Sequence, residues 1–299
     1  MKFIYQYPEL HGPDPDMLDS GPVADLAVAA EDAGFAAMAF TEHPAPGARW
    51  LSAGGHQTLD PFIALGHAAA VTKKLRLLTY LAVVPYRNPF LLAKAAATVD
   101  KLSGGRFILG VGTGYLKGEF NALGVDIEER NALFDEALEV LPRFWSGEPL
   151  SYKGRHFEAR EVIGRPRPVQ IPIPIWIGGN SRLTLRRVAA AAQGWMPLTG
   201  HVDISKTTRT PHLGSMDELA ARVRELRELA GSRAASLDIA IAYTDPTLAN
   251  PKADVARHRE ALAAYAEVGA TWAVVAAPHG TPAASRAFIE DFATNYIRR

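Results

Sequence analysis

Short apolar runs alternate with longer, alanine-rich amphipathic stretches along the whole 299-residue chain. Runs of strand length lie near 3–7, 36–41, 75–84, 106–112, 173–178, 194–198, 237–243 and 271–276. Helical patterns lie between and after them, near 20–33, 61–73, 89–102, 128–146, 181–193, 216–231, 252–268 and 283–297. Repeated strand–helix units of this kind build a parallel sheet. Local signals support the helix starts and stops. Asp60-Pro61 and Asn88-Pro89 each pair a capping side chain with a proline that has no amide to leave unpaired, and Gly34 follows the first helix as a left-handed terminator. Eight such units could form an open doubly wound sheet, but the count favours a closed (β/α)8 TIM barrel, taken as a single domain over 1–299.

Two segments depart from this rhythm. Residues 147–172, GEPLSYKGRHFEAREVIGRPRPVQIP, carry several prolines and no helical period, which marks an insertion before strand five. Residues 199–215, TGHVDISKTTRTPHLGS, are polar and long for a connection. They suit a mobile lid over a site, the alternative being a surface loop without a role.

Composition narrows the functions available. Thirty-two basic and thirty-two acidic residues cancel, with no basic stripe, so neither nucleic acid nor a membrane surface is the expected partner. A small-molecule substrate is. The absence of cysteine excludes disulfides, thiolate metal sites and cysteine nucleophiles. The opening MKFIYQYPELHGPDPD is too short and too polar after Tyr7 for a signal peptide, and no apolar run reaches membrane-spanning length, so a cytoplasmic protein is expected.

In a barrel of this kind ligands meet the carboxyl ends of the strands. The residues there are Thr41, Glu42 and His43 after strand two, Tyr86 and Arg87 after strand three, Thr113, Gly114 and Tyr115 after strand four, and Gly178 to Arg182 after strand five. His43 is the leading catalytic candidate, because an imidazole exchanges protons near neutral pH; the plainer alternative is a histidine merely hydrogen-bonded at a strand end. Glu42, its neighbour, points elsewhere if strand geometry persists, toward a helix or a cofactor edge. Trp50 either walls the pocket or packs. Gly178-Gly179-Asn180-Ser181 precede a helix and could cradle a phosphate or carboxylate, with Arg182 adding charge, or could be ordinary loop-to-helix punctuation. Gly112-Thr113-Gly114 offers a backbone that a ligand can approach closely, but GVGTGY lacks the third glycine of a dinucleotide fingerprint. The other histidines (His11, His56, His67, His156, His201, His212, His258, His279) form no H-x-H or H-E-x-x-H motif, so no metal site is expected, and most fall to the surface or a pocket wall.

AFTEH at 39–43, VPYRNPFLLAKAAATVDKLSGGRFILGVGTGY at 84–115, EFNALGV at 119–125, ERNALFDEALEVL at 129–141 and IPIWIGGNS at 173–181 together carry a family likeness. The chain up to about Pro197 resembles the bacterial luciferase-like superfamily, and more narrowly its coenzyme F420-dependent oxidoreductase branch. The resemblance implies a TIM barrel with an insertion before strand five that holds a deazaflavin at its carboxyl face. It implies that His43 lies by the reactive ring, with Tyr80, Leu81, Thr113, Gly114, Tyr115 and Gly178 to Ser181 around the cofactor, and that Tyr80–Leu81 is a non-proline cis peptide in a bulge of strand three. It also implies a homodimer. Glu42 stands where deazaflavin enzymes commonly have Asp, and Glu-His is also written among flavin monooxygenases, so FMN with a separate reductase is the alternative cofactor system. A non-catalytic flavin- or deazaflavin-binding protein is the third reading. Tyr115 stands where a sugar-phosphate dehydrogenase of the family carries a catalytic Glu, which places Tyr115 in the pocket as wall or donor rather than as acid.

Overall fold

A computed structural model describes residues 1–11, 16–200 and 202–298. Eight parallel strands close on themselves: β1 (Lys2–Gln6), β2 (Ala37–Phe40), β3 (Arg76–Thr79), β4 (Phe107–Gly112), β5 (Ile175–Gly178), β6 (Gly194–Met196), β7 (Asp238–Ala242) and β8 (Trp272–Ala276). Each pairs with the next in sequence, and β8 returns to β1 with Lys2 opposite Trp272 and Gln6 opposite Ala276. The barrel count was therefore legible. Helices α1 (Val23–Ala33), α2 (Pro61–Val71), α3 (Pro89–Ser103), α4 (Arg130–Trp145), α5 (Arg182–Ala191), α6 (Met216–Ala230), α7 (Val255–Glu267) and α8 (Pro282–Phe292) alternate with the strands. Asp60 accepts from the amides of Phe62 and Ile63, and Asn88 from that of Phe90, so both proline-marked starts are real caps. Among the described residues no helix is long and apolar enough to cross a membrane.

The two-residue period of each strand separates two cores. Met38, Phe40, Phe107, Leu109, Val111, Ile175 and Ile177 join the large core outside the barrel wall, whereas Ile4, Ala37, Ala39, Leu78, Ile108, Trp176, Met196, Ala240, Trp272 and Val274 fill the interior. Trp176 and Trp272 meet edge to face at 5.3 Å near the barrel axis. Gly194 makes room for one of these rings, since a Cβ there would lie 2.4 Å from Trp176; Gly110 serves the strand crossing instead, since a Cβ there would lie 2.0 Å from the Thr79 carbonyl oxygen.

Strand three departs from the unbroken run expected over 75–84. Pairing of β3 ends at Thr79, whose hydroxyl donates to the Gly110 carbonyl at 2.7 Å, and resumes at Ala82–Val83 opposite Val111 and Gly112. Between them the Tyr80–Leu81 peptide is cis, where the resemblance implied it. A 3-10 turn, Val84–Tyr86, then leads to Asn88 and α3.

The insertion 147–172 holds an antiparallel hairpin, Leu150–Lys153 against Glu158–Val162, and two cis prolines, Pro166 and Pro172. His156 fastens it to the barrel, with Nδ1 at 2.5 Å from Glu136 and Nε2 at 3.0 Å from Glu129. The segment 199–215 is not structureless: it contains the helix Val202–Thr208. His201 lies outside the described residues. His258 is an exception to the surface or pocket-wall placement expected of most histidines: it is fully buried and bonded to the Tyr243 hydroxyl at 2.6 Å.

Candidate active site

A cleft of about 290 Å³ opens at the carboxyl ends of the strands. Its lining draws on the β2, β4, β5 and β6 exits and on the segment following residue 199, and brings together Thr41, Glu42, His43, Leu81, Thr113 to Tyr115, Gly178, Gly179, Ser181, Pro197, Leu198 and Thr208 to Thr210. The lid candidate thus borders the site.

Leu81 forms the floor. A Cβ on Gly112 would lie 2.4 Å from Leu81 Cδ1, and one on Gly178 would lie 2.3 Å from Leu81 Cδ2. Both glycines point inward, so the space they leave is filled by a side chain of this protein. Gly114, at φ +75°, similarly yields its space to Val83, 2.5 Å from a would-be Cβ. The glycines expected to admit a ligand directly instead seat the apolar residues on which one would rest.

At one end of the cleft stands His43. Its amide donates to Thr58 Oγ1 at 3.0 Å, and its ring packs against Trp50 (4.5 Å between centroids), His56 (4.8 Å) and Tyr115 (6.2 Å). Its Nδ1 lies 3.3 Å from Oε2 of Glu119, a side chain 1 % exposed on the short helix Lys117–Ala122. The same oxygen accepts the Tyr86 hydroxyl at 2.9 Å, and Oε1 accepts the Ala45 amide at 3.3 Å. Burial and the Glu119 carboxylate push the Tyr86 hydroxyl well above its ordinary value, so it remains a donor. Burial, with Glu119 and Glu9 beside it, pushes Tyr115 up to about 12, which keeps that hydroxyl protonated as well.

Glu42 does not join His43. Its Oε2 accepts the Val83 amide at 2.6 Å, its Oε1 forms an ion pair with Arg87, and Arg87 reaches on to Asp60 at 3.1 Å. Both oxygens hold the resumed third strand and the start of α2. Burial pushes its carboxyl upward against the opposing pull of Arg87 and the Val83 amide.

At the other end, Ser181 caps α5 by accepting the Thr184 amide at 3.0 Å, and Gly179 lies at φ +110°. Asn180 stands apart from the cleft lining. Completely buried, it donates to the carbonyls of Leu198 (2.7 Å) and Pro211 (2.8 Å) and accepts the Leu198 amide (2.9 Å). It ties 198 to 211 and leaves nothing for a ligand. Arg182 is also absent: it turns out to Glu225 at 3.2 Å and is 73 % exposed. Arg209 supplies the guanidinium of the lining instead.

Sequence reasoning missed Glu119, Glu9, His56 and Arg209. Glu119 opens EFNALGV and lies in the first turn of the short helix that follows Tyr115. Glu9 accepts from Gln6 at 2.8 Å and lies 3.2 Å from His56 Nε2. Burial, reinforced by His43 and His11, holds His56 down to about 3, so it is a neutral ring.

A parallel eightfold barrel with a cleft at its carboxyl face, a histidine–carboxylate pair at one end and a helix start at the other, places that cleft where barrels of this kind take their ligands. The chain belongs to the luciferase-like monooxygenase family, whose sequence model matches residues 1–228. It is similar to an uncharacterized protein of Mycobacterium tuberculosis, 35 % identical over 154 residues, which span 51 % of this chain and 55 % of that one. The chain thus spans about half the length of that relative. It is also similar to an F420-dependent glucose-6-phosphate dehydrogenase of Nakamurella multipartita, 32 % identical over 221 residues, 72 % of this chain and 60 % of that one. The fold superposes on a monooxygenase, RslO1, from Streptomyces bottropensis with a TM-score of 0.74 over 99 % of both chains at 21 % identity.

Proposed function

We propose that this protein is an F420-dependent oxidoreductase that moves a hydride between the deazaflavin and a small, uncharged organic substrate. The observation that carries this reading is the apolar floor made by Leu81, seated by Gly112 and Gly178, between a proton-exchanging His43 and a polar end at Ser181, Thr210 and Arg209. A flat heteroaromatic ring with a phosphate-bearing tail asks for that order of groups. Leu81, Val83 and Met196 would hold the ring, and Ser181, Thr208, Arg209 and Thr210 the anionic tail. When bound, the deazaflavin supplies the carbon that accepts or donates the hydride. The similarity to an F420-dependent dehydrogenase supports the cofactor.

The residues of the chain do the rest. His43 holds or delivers the proton that accompanies hydride movement, and Tyr115, protonated, donates a hydrogen bond from the pocket wall. Arg209 is the single Arg or Lys among the described lining residues, and it stands at the tail end, which favours a substrate without phosphate.

Fluorescence titration with F420 and with FMN tests the cofactor. Selective quenching by F420 is expected; tight FMN binding together with oxygen consumption by the reduced flavin would replace this reading with a reductase-fed monooxygenase. His43→Ala is expected to lower turnover on the order of 10²–10⁴-fold while F420 affinity changes little. Equal loss of both would remove His43 from the proton step.

A further inference from the structure

His43 leaves one question that its position in the cleft does not answer, namely which ring nitrogen carries the proton. Glu119 answers it. The carboxylate is 1 % exposed and is met by three groups from two separate parts of the chain: Nδ1 of His43 and the Ala45 amide on the loop after β2, and the Tyr86 hydroxyl after the resumed third strand. A carboxylate only accepts, so each of the three must donate. The 3.3 Å from His43 Nδ1 is at the long end of hydrogen-bond distances, as apo-state catalytic contacts often are.

We infer that Glu119 is a positioning residue that holds His43 as the Nδ1–H tautomer, so that Nε2 is the ring atom that exchanges protons with substrate, while Tyr86 competes for the same carboxylate oxygen. This rests on the proposed hydride-transfer reading for its chemistry, though not for its geometry. In oxidation of an alcohol, the substrate O–H bond breaks and an Nε2–H bond forms while the carbon-bound hydride leaves for the cofactor; reduction of the carbonyl returns both. Glu119 gains no proton in either direction. It stabilises the imidazolium by charge, as a buried acid behind a histidine base does.

The other ionisable groups around His43 do not duplicate this role. Glu9 approaches from the exit of β1 and its charge is felt by His43, but its hydrogen-bond and ion-pair partners are Gln6, Thr41 and His56. His56 and His11 are imidazoles of the short antiparallel pair Leu10–His11 with His56–Gln57, Tyr115 keeps its proton, and Glu42 is committed to Val83 and Arg87. Among the described residues, Glu119 is the carboxylate within hydrogen-bond distance of His43 Nδ1.

The test uses the apo protein labelled with ¹⁵N-histidine, so that it does not depend on the cofactor. His43, assigned by the signal lost in His43→Ala, should show the Nδ1–H pattern. Its titration midpoint should fall by about 1 pH unit in Glu119→Gln, which keeps an acceptor but removes the charge. In Tyr86→Phe the carboxylate loses a competing donor, and the midpoint should stay or rise. The acid limb of kcat/KM should follow the same two directions. An Nε2–H pattern in the wild type, or a midpoint unmoved by Glu119→Gln, would overturn the inference; should that variant not fold, a downward shift in Tyr86→Phe does so. If the apo spectra behave as stated and F420 does not bind, the dyad stands and the cofactor reading falls.

Discussion

The residue on which the cleft depends most is one with no chemistry of its own. Leu81 is pinned from two sides by the missing side chains of Gly112 and Gly178, at 2.4 and 2.3 Å from the positions their Cβ atoms would take. Both contacts fall on the methyl tips of Leu81, a partly buried side chain packed against the barrel interior, so an added Cβ is accommodated only by turning that side chain out of its place. Gly178→Ala should therefore push Leu81 up into the ring position. The expected result is at least a tenfold loss of F420 affinity, read by fluorescence titration, with a stability loss of about 1–3 kcal/mol from overpacking. Adding Leu81→Ala to Gly178→Ala should recover part of the stability, a coupling that a double-mutant cycle in urea measures. If the two changes simply add, the glycine is there for some reason other than Leu81.

At the scale of elements, what the sequence made legible and what it hid divide along a physical line. Helices announced themselves through local contacts: Asp60, Asn88 and Ser181 cap within three residues, and Ser215 with Glu218 forms a capping box at the start of α6. Strands announced themselves through apolar runs, since both faces of a barrel strand are buried. The break after Thr79 was invisible to both signals, because it arises where the Thr79 carbonyl crosses Gly110 of the next strand. The hairpin at 150–162 was hidden for a different reason: LSYK and EAREV are polar on the exposed side and too short for a distinct period. The pairing of His43 with Glu119 joins residues 76 positions apart, beyond any local pattern, although each was on a quoted motif. Asn180 shows the reverse error. Its place in GGNS suggested a ligand contact, yet its three hydrogen bonds make it a strut between the β6 exit and Pro211. Asn180→Ala should accordingly cost about 2–3 kcal/mol of stability by urea unfolding, from buried partners left unsatisfied. It should also speed proteolytic cutting within 199–215, with F420 affinity falling only as far as that segment's contribution through Thr208, Arg209 and Thr210. A loss of affinity with stability and cutting rate unchanged would return Asn180 to the list of direct ligands.

For the whole molecule, the cleft's cost appears in the dependence of stability on pH. His56 is held down to about 3 by burial and by the two imidazoles near it, whereas in the unfolded chain it titrates near the ordinary value of 6.5. Between those two values the unfolded state binds a proton that the folded state does not, so unfolding free energy rises with pH across that window and falls on acidification. The slope from one fully differing group is about 1.4 kcal/mol per pH unit, an upper bound here because Glu9 acts in the opposite sense: burial pushes its carboxyl up, so the folded state retains a proton that the unfolded state releases. The two groups lie 3.2 Å apart and share one environment. The informative quantity is therefore the difference between variants. His56→Asn removes the low-lying group and leaves Glu9, so urea unfolding of the variant between pH 4 and 6.5 should show a flatter decline than the wild type, the two curves converging above about pH 7 apart from a constant offset. Parallel curves would mean that His56 accepts its proton in the folded barrel. Such a result would also place a second positive charge beside His43, and the midpoint of His43 would then have to be read as that of a coupled pair.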